Sequence, residues 1–313
     1  MRFAFIVDPL AKLKAYKDSS IFMMREAVKR GHEVWAFEAH EMFVDGPVSA
    51  RAVRLEVSDD NDAWYRVAES AVHPLAHFDA VLMRKDPPFD QEYLYATLLL
   101  SLAEQQGARV VNRAASLRDY NEKLAILKFA KFTSPTLVTS GIDALNEFID
   151  KHGDVIVKKL DGMGGTSIFR VRADDPNRNA ILEVQTANGT QSVMVQRYIP
   201  DIVKGDKRVL VIEGVVVPHC LARIPKAGET RGNLAAGGKG VAQPISARDR
   251  EIAEALGTQL KADGLTIVGL DIIGEYLTEV NVTSPTCMVE IFEQTGTNAA
   301  AMVIDALERH SRQ

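Results

Sequence analysis

Two cysteines, Cys220 and Cys287, are all that this 313-residue chain contains, and they stand far apart with no CxxC pair. That excludes a disulfide framework and a zinc knuckle. No run of about 18 apolar residues occurs, so no membrane span is expected. The apolar stretch at residues 2–7 is too short for a signal peptide and is broken by Asp8 and Pro9. The expected compartment is therefore the cytoplasm. A basic excess is also missing: 37 Lys and Arg stand against 42 Asp and Glu, for a net charge of −5. This argues against general binding to nucleic acid or anionic membrane while leaving local basic pockets open. No GxxxxGK[ST], GxSxG or HExxH signature is present. His73 and His77 lack a third ligand and are expected at the surface. No histidine lies near Cys287, which is expected to be a small buried thiol.

What remains is an ordinary globular balance, 46% hydrophobic and 25% charged. Strand-like runs at 2–7, 32–38, 78–84 and 109–111 alternate with helical patterns at 18–30 and 91–106. That spacing implies a parallel sheet with helices on its faces. Residues 45–62 are less regular and read as an insertion. A second unit begins near Asn121, with Asn121-Glu122-Lys123 opening an amphipathic helix. It continues with strands at 154–160, 166–171 and 193–199. A third unit holds a hairpin at 207–224, a Gly-rich segment, a helix at 247–262, a second hairpin and a closing helix from about Asn298.

The second hairpin, DIIGEYLTEVN at 271–281, turns at Gly274-Glu275. Side chains two apart share a face of a strand, so Glu279 and Asn281 point together, with Asp271 close to opposite. Two adjacent carboxylates repel unless a positive charge sits between them. Mg²⁺ prefers such hard oxygens together with nucleotide phosphates. The competing reading is a solvated polar face.

Residues 161–167, DGMGGTS, form a glycine-rich turn after Lys158-Lys159, suited to backbone contact with an anion and a lysine contact with phosphate. An ordinary hairpin turn is the alternative. Residues 225–240 hold five glycines with Lys226, Arg231 and Lys239, the composition of a lid over phosphates. Arg84 sits at the carboxyl end of a predicted parallel strand, where such sheets place ligands, and is suited to clamping a carboxylate. Arg208 and Arg223 fall at strand positions that are otherwise apolar. Buried arginines need a partner, and an anionic substrate would serve. Thr283 and Ser284 precede Pro285 and a helix, where an anion site could form. Together these features suit ATP chemistry without a Walker motif. With no protein nucleophile in evidence, a carboxylate substrate takes the phosphoryl group and an amine attacks the acyl phosphate.

On these residues the chain resembles the ATP-grasp ligases and, within them, the bacterial glutathione synthetases, over essentially its full length. The carrying stretches are MRKDPPFD (83–90), SLRDYNEKL (116–124), KKLDGMGGTSIFR (158–170), GDKRVLV (205–211), CLARIPKAGETRGNLAAGGKG (220–240) and GLDIIGEYLTEVNVTSPTC (269–287). MRKDPPFD and the ETRGNLAAGG loop are the narrowest of these.

The resemblance implies an α/β, ATP-grasp fold in three parts. Residues 1–121 would be an N-terminal substrate-binding domain on a parallel, Rossmann-like sheet. Residues 122–200 would be a small lid domain, and 201–313 a C-terminal α+β catalytic domain carrying the mobile loop 225–240. It implies Lys123 and Lys158, with Gly164 and Gly165, at the nucleotide phosphates, and Gln196 and Tyr198 at the adenine hinge. Asp271, Glu279 and Asn281 would hold Mg²⁺ or Mn²⁺. Arg84, Arg208 and Arg223 would hold the peptide substrate and the transferring phosphate, Arg231 and Asn233 would act from the loop, and Thr283 and Ser284 would lie near the product carboxylates. The family usually has proline after the phosphate lysine where this chain has Lys159, so whether Lys158 or Lys159 faces the phosphates stays open. Arg197 stands where the hinge often has a smaller polar residue. The implied substrates are γ-glutamylcysteine, glycine and ATP, with no nucleic-acid or membrane partner, and the implied assembly is a homo-oligomer, dimer or tetramer. A ligase for a different acid and amine, or a non-catalytic nucleotide-binding regulator, are the alternatives.

Overall fold

The computed structural model describes residues 1–309 apart from Met163, Ala227, Thr230, Arg231, Asn233, Ala235 and Ala236. Among the described residues the strands form three sheets, met in chain order.

The first sheet is made by β1 (Arg2–Ile6), β2 (Glu33–Phe37), β3 (Met42–Val44), β4 (Val48–Val57), β5 (Tyr65–Pro74), β6 (Ala80–Met83) and β7 (Val110–Val111). Its order is β3-β4-β2-β1-β6-β7, with β5 on β4. The pairs β2-β1, β1-β6 and β6-β7 are parallel, as the alternating strand–helix pattern predicts. Helix α1 (Ser19–Lys29) starts where Asp18 Oδ1 accepts the Ser20 and Ile21 N–H groups at 2.7 and 2.9 Å, a standard N-cap. Helix α2 (Gln91–Gln105) is capped by Asp90, and the short α3 (Ala114–Asp119) follows β7.

The insertion expected at 45–62 is instead sheet: β4 and β5 make a long antiparallel hairpin on the edge of the parallel core. β5 is largely exposed along its length, so it carries no period-2 apolar signal to read. His73 and His77 are not simple surface residues either. Their rings stack at 4.1 Å, both are half-buried, and Trp35 and Phe78 pack edge-on to His73.

The helix expected from Asn121 is a kinked 3-10 segment, Leu124–Phe132, with non-helical geometry at Phe129. It leads into the second sheet: β8 (Thr136–Thr139), β9 (Asp154–Lys159), β10 (Ile168–Arg172) and β11 (Val193–Arg197), ordered β10-β9-β11-β8 and antiparallel. One face carries Val155, Val157, Val171, Val193 and Val195. These are buried against Leu145 and Ile149 of α4 (Ile142–His152) and Leu182 of α5 (Arg178–Gln185). Alternation sends Ile156, Lys158, Ile168 and Gln196 to the other face, which is left for the site.

The third sheet is β12 (Asp206–Ile212), β13 (Val215–Val216), β14 (His219–Ile224), β15 (Lys239–Pro244), β16 (Ile267–Ile273) and β17 (Tyr276–Asn281), ordered β15-β14-β12-β16-β17 with β13 on β12. Strand β15 was not anticipated, because its glycines and lysine read as loop. Helix α6 (Ala247–Ala262) is held by a reciprocal capping box between Ser246 and Asp249. Helices α7 (Met288–Thr295) and α8 (Ala299–Arg309) close the chain. The first and third sheets are tied by Asn112, whose Nδ2 donates to Ile267 O and Val282 O and whose Oδ1 accepts from Ile267 N, at 2.7–2.8 Å.

Candidate functional site

The pairing of β12, β16 and β17 sets one charged row. Arg208 lies opposite Asp271, and Asp271 lies opposite Glu279, so the three share a face. Asn281 stands opposite Gly269, two places along the same face. A Cβ at Gly269 would sit 2.8 Å from Arg208 Cδ and 2.9 Å from Pro285 Cβ, so only glycine lets the arginine and the loop after β17 close over this point. The two-residue turn at Gly274-Glu275 is as read from sequence, with a register shift between Asp271 and Ile272.

The second sheet faces this row, and a pocket lies between them. It is lined at one end by Gln196, Arg197, Tyr198 and Ile199 and at the other by Lys123, Lys158, Gly164, Gly165 and Glu279. Gly164 and Gly165 have φ of +61° and +83°, a conformation that glycine alone adopts without strain. Lys158 is buried on the pocket face and donates to Thr278 O at 3.3 Å, whereas Lys159 points to the opposite face and does not line the pocket. Which lysine faces the cleft is thereby decided for Lys158.

Lys123 Nζ donates to Gly162 O at 2.5 Å and pairs with Glu122. Glu279 Oε1 stands 3.8 Å from both Lys123 Nζ and Lys158 Nζ. Burial pushes the Lys158 amine down. At Lys123 burial acts in the same sense but is outweighed by Glu279 and Glu122, which hold its amine above the ordinary value.

At the other end Gln196 Nε2 donates to Thr136 Oγ1 at 3.0 Å. The Arg170 guanidinium lies 3.7 Å from the centroid of the Tyr198 ring and is itself gripped by both Asp154 oxygens. Arg197 reaches across to the Tyr276 hydroxyl at 3.1 Å, so its side chain bridges the two sheets at the pocket mouth.

Arg208 and Arg223 have partners in the protein. Arg208 donates through Nε and a terminal nitrogen to Asp271 at 2.6 and 3.2 Å. Arg223 pairs with Asp206 at 2.5 Å and Asp271 at 2.9 Å. The expectation that an anionic substrate completes these arginines is corrected to that extent, because two buried carboxylates already do. Burial alone would push the Asp271 carboxyl up; the two arginines outweigh it and hold it well below the usual range. At Asp206 burial outweighs the attraction of Arg223 and Arg208, and Asp271 and Glu279 add repulsion, so its carboxyl is pushed up to about 7.

Arg84 differs. It is 4% exposed, donates to Ser20 Oγ at 3.1 Å and Pro285 O at 2.9 Å, and its Nη1 is buried without a partner among the described residues. A buried guanidinium with only neutral hydrogen-bond partners is poised for an anion. Ser284 bonds to Asp86 in the neighbouring loop, and Thr283 stands beside it. Arg231 and Asn233 lie outside the described residues. Cys287 is 1% exposed, as expected of a structural thiol.

Among the described residues no three His, Cys, Asp or Glu side chains are grouped to hold a metal ion. The candidate set is two carboxylates and an amide, all with hard oxygens. Asn281 donates through Nδ2 to Gly269 O at 3.3 Å, which leaves its Oδ1 as the atom for a cation. Glu279 faces the pocket, and Asp271 has lone pairs to share beyond its two arginines. This donor chemistry fits Mg²⁺ or Mn²⁺.

Three residues of the site escaped the sequence reading. Asp206 and Glu122 line the pocket. Asn121 bonds the backbone at Lys123 and Leu124 and the Leu160 carbonyl just before the glycine turn. Their signal lay in their neighbours, since each adjoins a cation or a strand already singled out, but adjacency alone did not show which way they point.

Comparison with known proteins converges on one family. Residues 1–118 match the N-terminal domain of prokaryotic glutathione synthetase and residues 122–296 match its ATP-grasp domain. The chain belongs to the prokaryotic glutathione synthetase family. It is 56% identical over 310 residues to a glutathione synthetase of Ralstonia nicotianae, covering 99% of this chain and 96% of that one. A glutathione synthetase of Nitrosomonas europaea is 55% identical, covering 99% and 98%, and one of Pseudomonas putida is 51% identical, covering 99% and 98%. Among solved structures, the D-cycloserine synthetase DcsG superposes with a TM-score of 0.70 at 15% identity, covering 99% of this chain and 100% of that one. The ATP-grasp ligase PsnB complexed with its minimal precursor gives 0.64 at 19%, covering 98% of each. At such identities the likeness shows the fold alone, which is mixed α/β and ATP-grasp. No helix among the described residues is long and apolar enough to cross a membrane.

Proposed function

We propose that this chain is an ATP-dependent ligase that joins γ-glutamylcysteine to glycine, giving glutathione, ADP and phosphate through an acyl phosphate. The observation that carries the reading is the match of both family domains and of relatives above 50% identity over the whole chain. The pocket chemistry agrees with it: two buried lysines and positive-φ glycines at one end and a hinge at the other suit a nucleotide laid between the second and third sheets. The three units, 1–121, 122–200 and 201–313, would serve as substrate-binding, lid and catalytic domains.

In the first step the C-terminal carboxylate oxygen of γ-glutamylcysteine attacks the γ-phosphorus, and the bond to the ADP oxygen breaks with its electron pair leaving on ADP. Lys123 and Lys158 offset charge on the phosphates, and Arg208 and Arg223 stand beside the reacting carboxylate. In the second step the neutral amine of glycine attacks the acyl carbon. Phosphate leaves with the carbon–oxygen pair, and the extra amine proton passes to phosphate or water. Arg84 would hold a carboxylate at the far end of the peptide, with Thr283 and Ser284 near the product. Arg231 and Asn233 would act from the loop over the site. A divalent cation, Mg²⁺ or Mn²⁺, held by Glu279, Asn281 and Asp271 supplies charge neutralisation on the phosphates when bound.

The assembly would be a homo-oligomer, dimer or tetramer. Tyr95 and Leu98, one turn apart on α2, are apolar and half exposed, a surface that a second copy would cover. The working compartment would be the cytoplasm. The test is ADP formation with Mg-ATP, γ-glutamylcysteine and glycine, omitting each in turn. Release that requires all three, with a product of glutathione mass, supports the reading. Release only with another acid and amine would replace the substrates, and ATP binding without turnover would leave a nucleotide-binding regulator.

A further inference from the structure

Asn121 does not line the nucleotide pocket, but the residues that follow it, Glu122 and Lys123, do, as does Gly162 of the glycine turn. Its side chain uses both ends. Oδ1 accepts the N–H groups of Lys123 and Leu124, each at 3.0 Å, which fixes the bend from which the Lys123 side chain leaves the backbone. Nδ2 donates at 3.0 Å to Leu160 O, one residue beyond the end of β9 and just before the glycine turn. The main chain at the next residue carries a third tie, because Val280 N donates to Glu122 O at 2.8 Å, between Glu279 and Asn281 on β17. The lysine then closes the circuit through Nζ to Gly162 O at 2.5 Å.

We infer that Asn121 is a positioning residue for nucleotide binding. It sets the distance between the Lys123 segment, which is fixed to the charged strand β17, and the glycine turn carried by the second sheet. The inference rests on the nucleotide reading of this pocket. One half of the phosphate cradle, the Lys123 segment, is tied to β17 of the third sheet, the other, the glycine turn, belongs to the second sheet, and each has its own backbone supports. The single side-chain amide of Asn121 bonds to both. Without its donor arm the Leu160 carbonyl loses a partner, and the turn keeps its tie to this segment through the flexible Lys123 side chain at Gly162 O, which lets it shift. The cap on the 3-10 segment survives any substitution that keeps an acceptor at this position.

That separation supplies the test. Asn121→Ser keeps a neutral acceptor for the Lys123 and Leu124 N–H groups but is too short to reach Leu160 O. Asn121→Asp keeps length and acceptor but cannot donate. Affinity for a non-hydrolysable ATP analogue with Mg²⁺, measured by calorimetry on the full chain, should weaken by about tenfold in both variants, the scale of one lost buried hydrogen bond. The KM for γ-glutamylcysteine and the thermal midpoint should stay near wild type. Analogue affinity unchanged in the serine variant would overturn the inference. Weakening confined to the aspartate variant would also overturn it, because added negative charge near Glu122 and Glu279 would then be the cause. A loss shared equally by analogue affinity, peptide KM and thermal midpoint would reduce Asn121 to a general structural role. Because the readout is analogue affinity, it stands apart from the substrate assignment. If wild type binds the analogue but makes no glutathione, the functional reading fails while the Asn121 comparison still reads out.

Discussion

Replacing Asp271 by asparagine separates the ion-pair role that the structure shows for this carboxylate from the metal role proposed for it. The residue is 2% exposed and pairs with Arg208 at 2.6 Å and Arg223 at 2.9 Å. Arg223 keeps Asp206 at 2.5 Å after the change, but Arg208, itself 6% exposed, loses its carboxylate partner. Leaving one member of a buried pair without its counter-charge costs about 3–5 kcal/mol. At about 2 °C per kcal/mol for a chain of this size, the thermal midpoint without ligands should fall by about 6–10 °C. Activity should fall further than stability explains. At a temperature where the variant is fully folded, kcat should drop by about 100-fold or more, from the loss of one charged ligand to the cation at the phosphates.

A double-mutant cycle with Arg208→Met divides the two effects. If the pair is coupled as its geometry requires, the double variant should be less destabilised than the sum of the singles by about 2 kcal/mol. Its turnover should remain low, because the Asp271→Asn change is carried by the double variant as well. A midpoint shift below about 2 °C for Asp271→Asn, or additivity in the cycle, would refute the buried-pair reasoning. A kcat within about threefold of wild type would refute the metal role of this carboxylate.

Other perturbations read other parts of the site. Lys158→Met should lower kcat/KM for ATP by about 100-fold with little effect on the KM for the peptide, and equal loss on both would remove Lys158 from the phosphates. Arg170→Met removes the cation over Tyr198 and should raise the KM for ATP by about threefold at unchanged kcat, the scale of an exposed cation–π contact; an unchanged KM would show that the ring needs no such support. Asp206 gives a pH dependence of definite sign. Its folded carboxyl is pushed up to about 7, first by burial, while the unfolded one titrates near 4. Between those values the folded state binds the extra proton, so stability is greatest at the acid end and is lost as pH rises towards 7. The ligand-free thermal midpoint should therefore decline from about pH 5 to about pH 7.5, and Asp206→Asn should flatten that decline. Asp271 has the opposite sign but titrates below this window. An equal decline in Asp206→Asn would assign the slope elsewhere.

The legible parts of the fold were those with a one-dimensional signature. The parallel core showed itself in strand–helix alternation, the 271–281 hairpin in its period-2 pattern and turn, and the glycine turn in its composition. The β4–β5 hairpin was missed because β5 is exposed on most positions, so burial never wrote a pattern into it. Strand β15 was missed because the strand begins with Lys239 and Gly240, which are weak strand formers, and is held in place by its pairing with β14. The candidate residues Arg208, Asp271 and Glu279 stand out in the sequence because charge at an apolar strand position is anomalous, and Lys158 because it leads into the glycine turn. Glu122, Asp206 and Asn121 do not, because their importance comes from what meets them: Leu160 and Val280 are brought there by the packing of the sheets, and Arg223 by the pairing of β12 with β14.

Strand pairing within the third sheet explains why the sequence assigns Arg208 and Arg223 to the peptide substrate and the transferring phosphate and not to carboxylates of the chain. Read along the chain, Arg208 and Arg223 are isolated cations in apolar strands. Read across β14, β12, β16 and β17, they belong to a set in which Lys123, Lys158, Arg208 and Arg223 face Glu122, Asp206, Asp271 and Glu279, four of each sign. Among these described residues opposite charges therefore largely offset one another, with Asp206 part protonated near neutral pH, which is how so many buried charges are tolerated without ligands. A nucleotide polyphosphate arriving alone would upset that balance, and a divalent cation arriving with it restores most of it. The cations of the site can turn to phosphate only as the carboxylates beside them turn to metal. Binding of nucleotide and metal should therefore be mutually dependent, each improving the other's affinity by the same factor. Arg84 stands outside this exchange. Its buried Nη1 has no hydrogen-bond partner among the described residues, and Asp18 and Asp86 act on the guanidinium without being bonded to it, so an anion received there need not displace an ion pair.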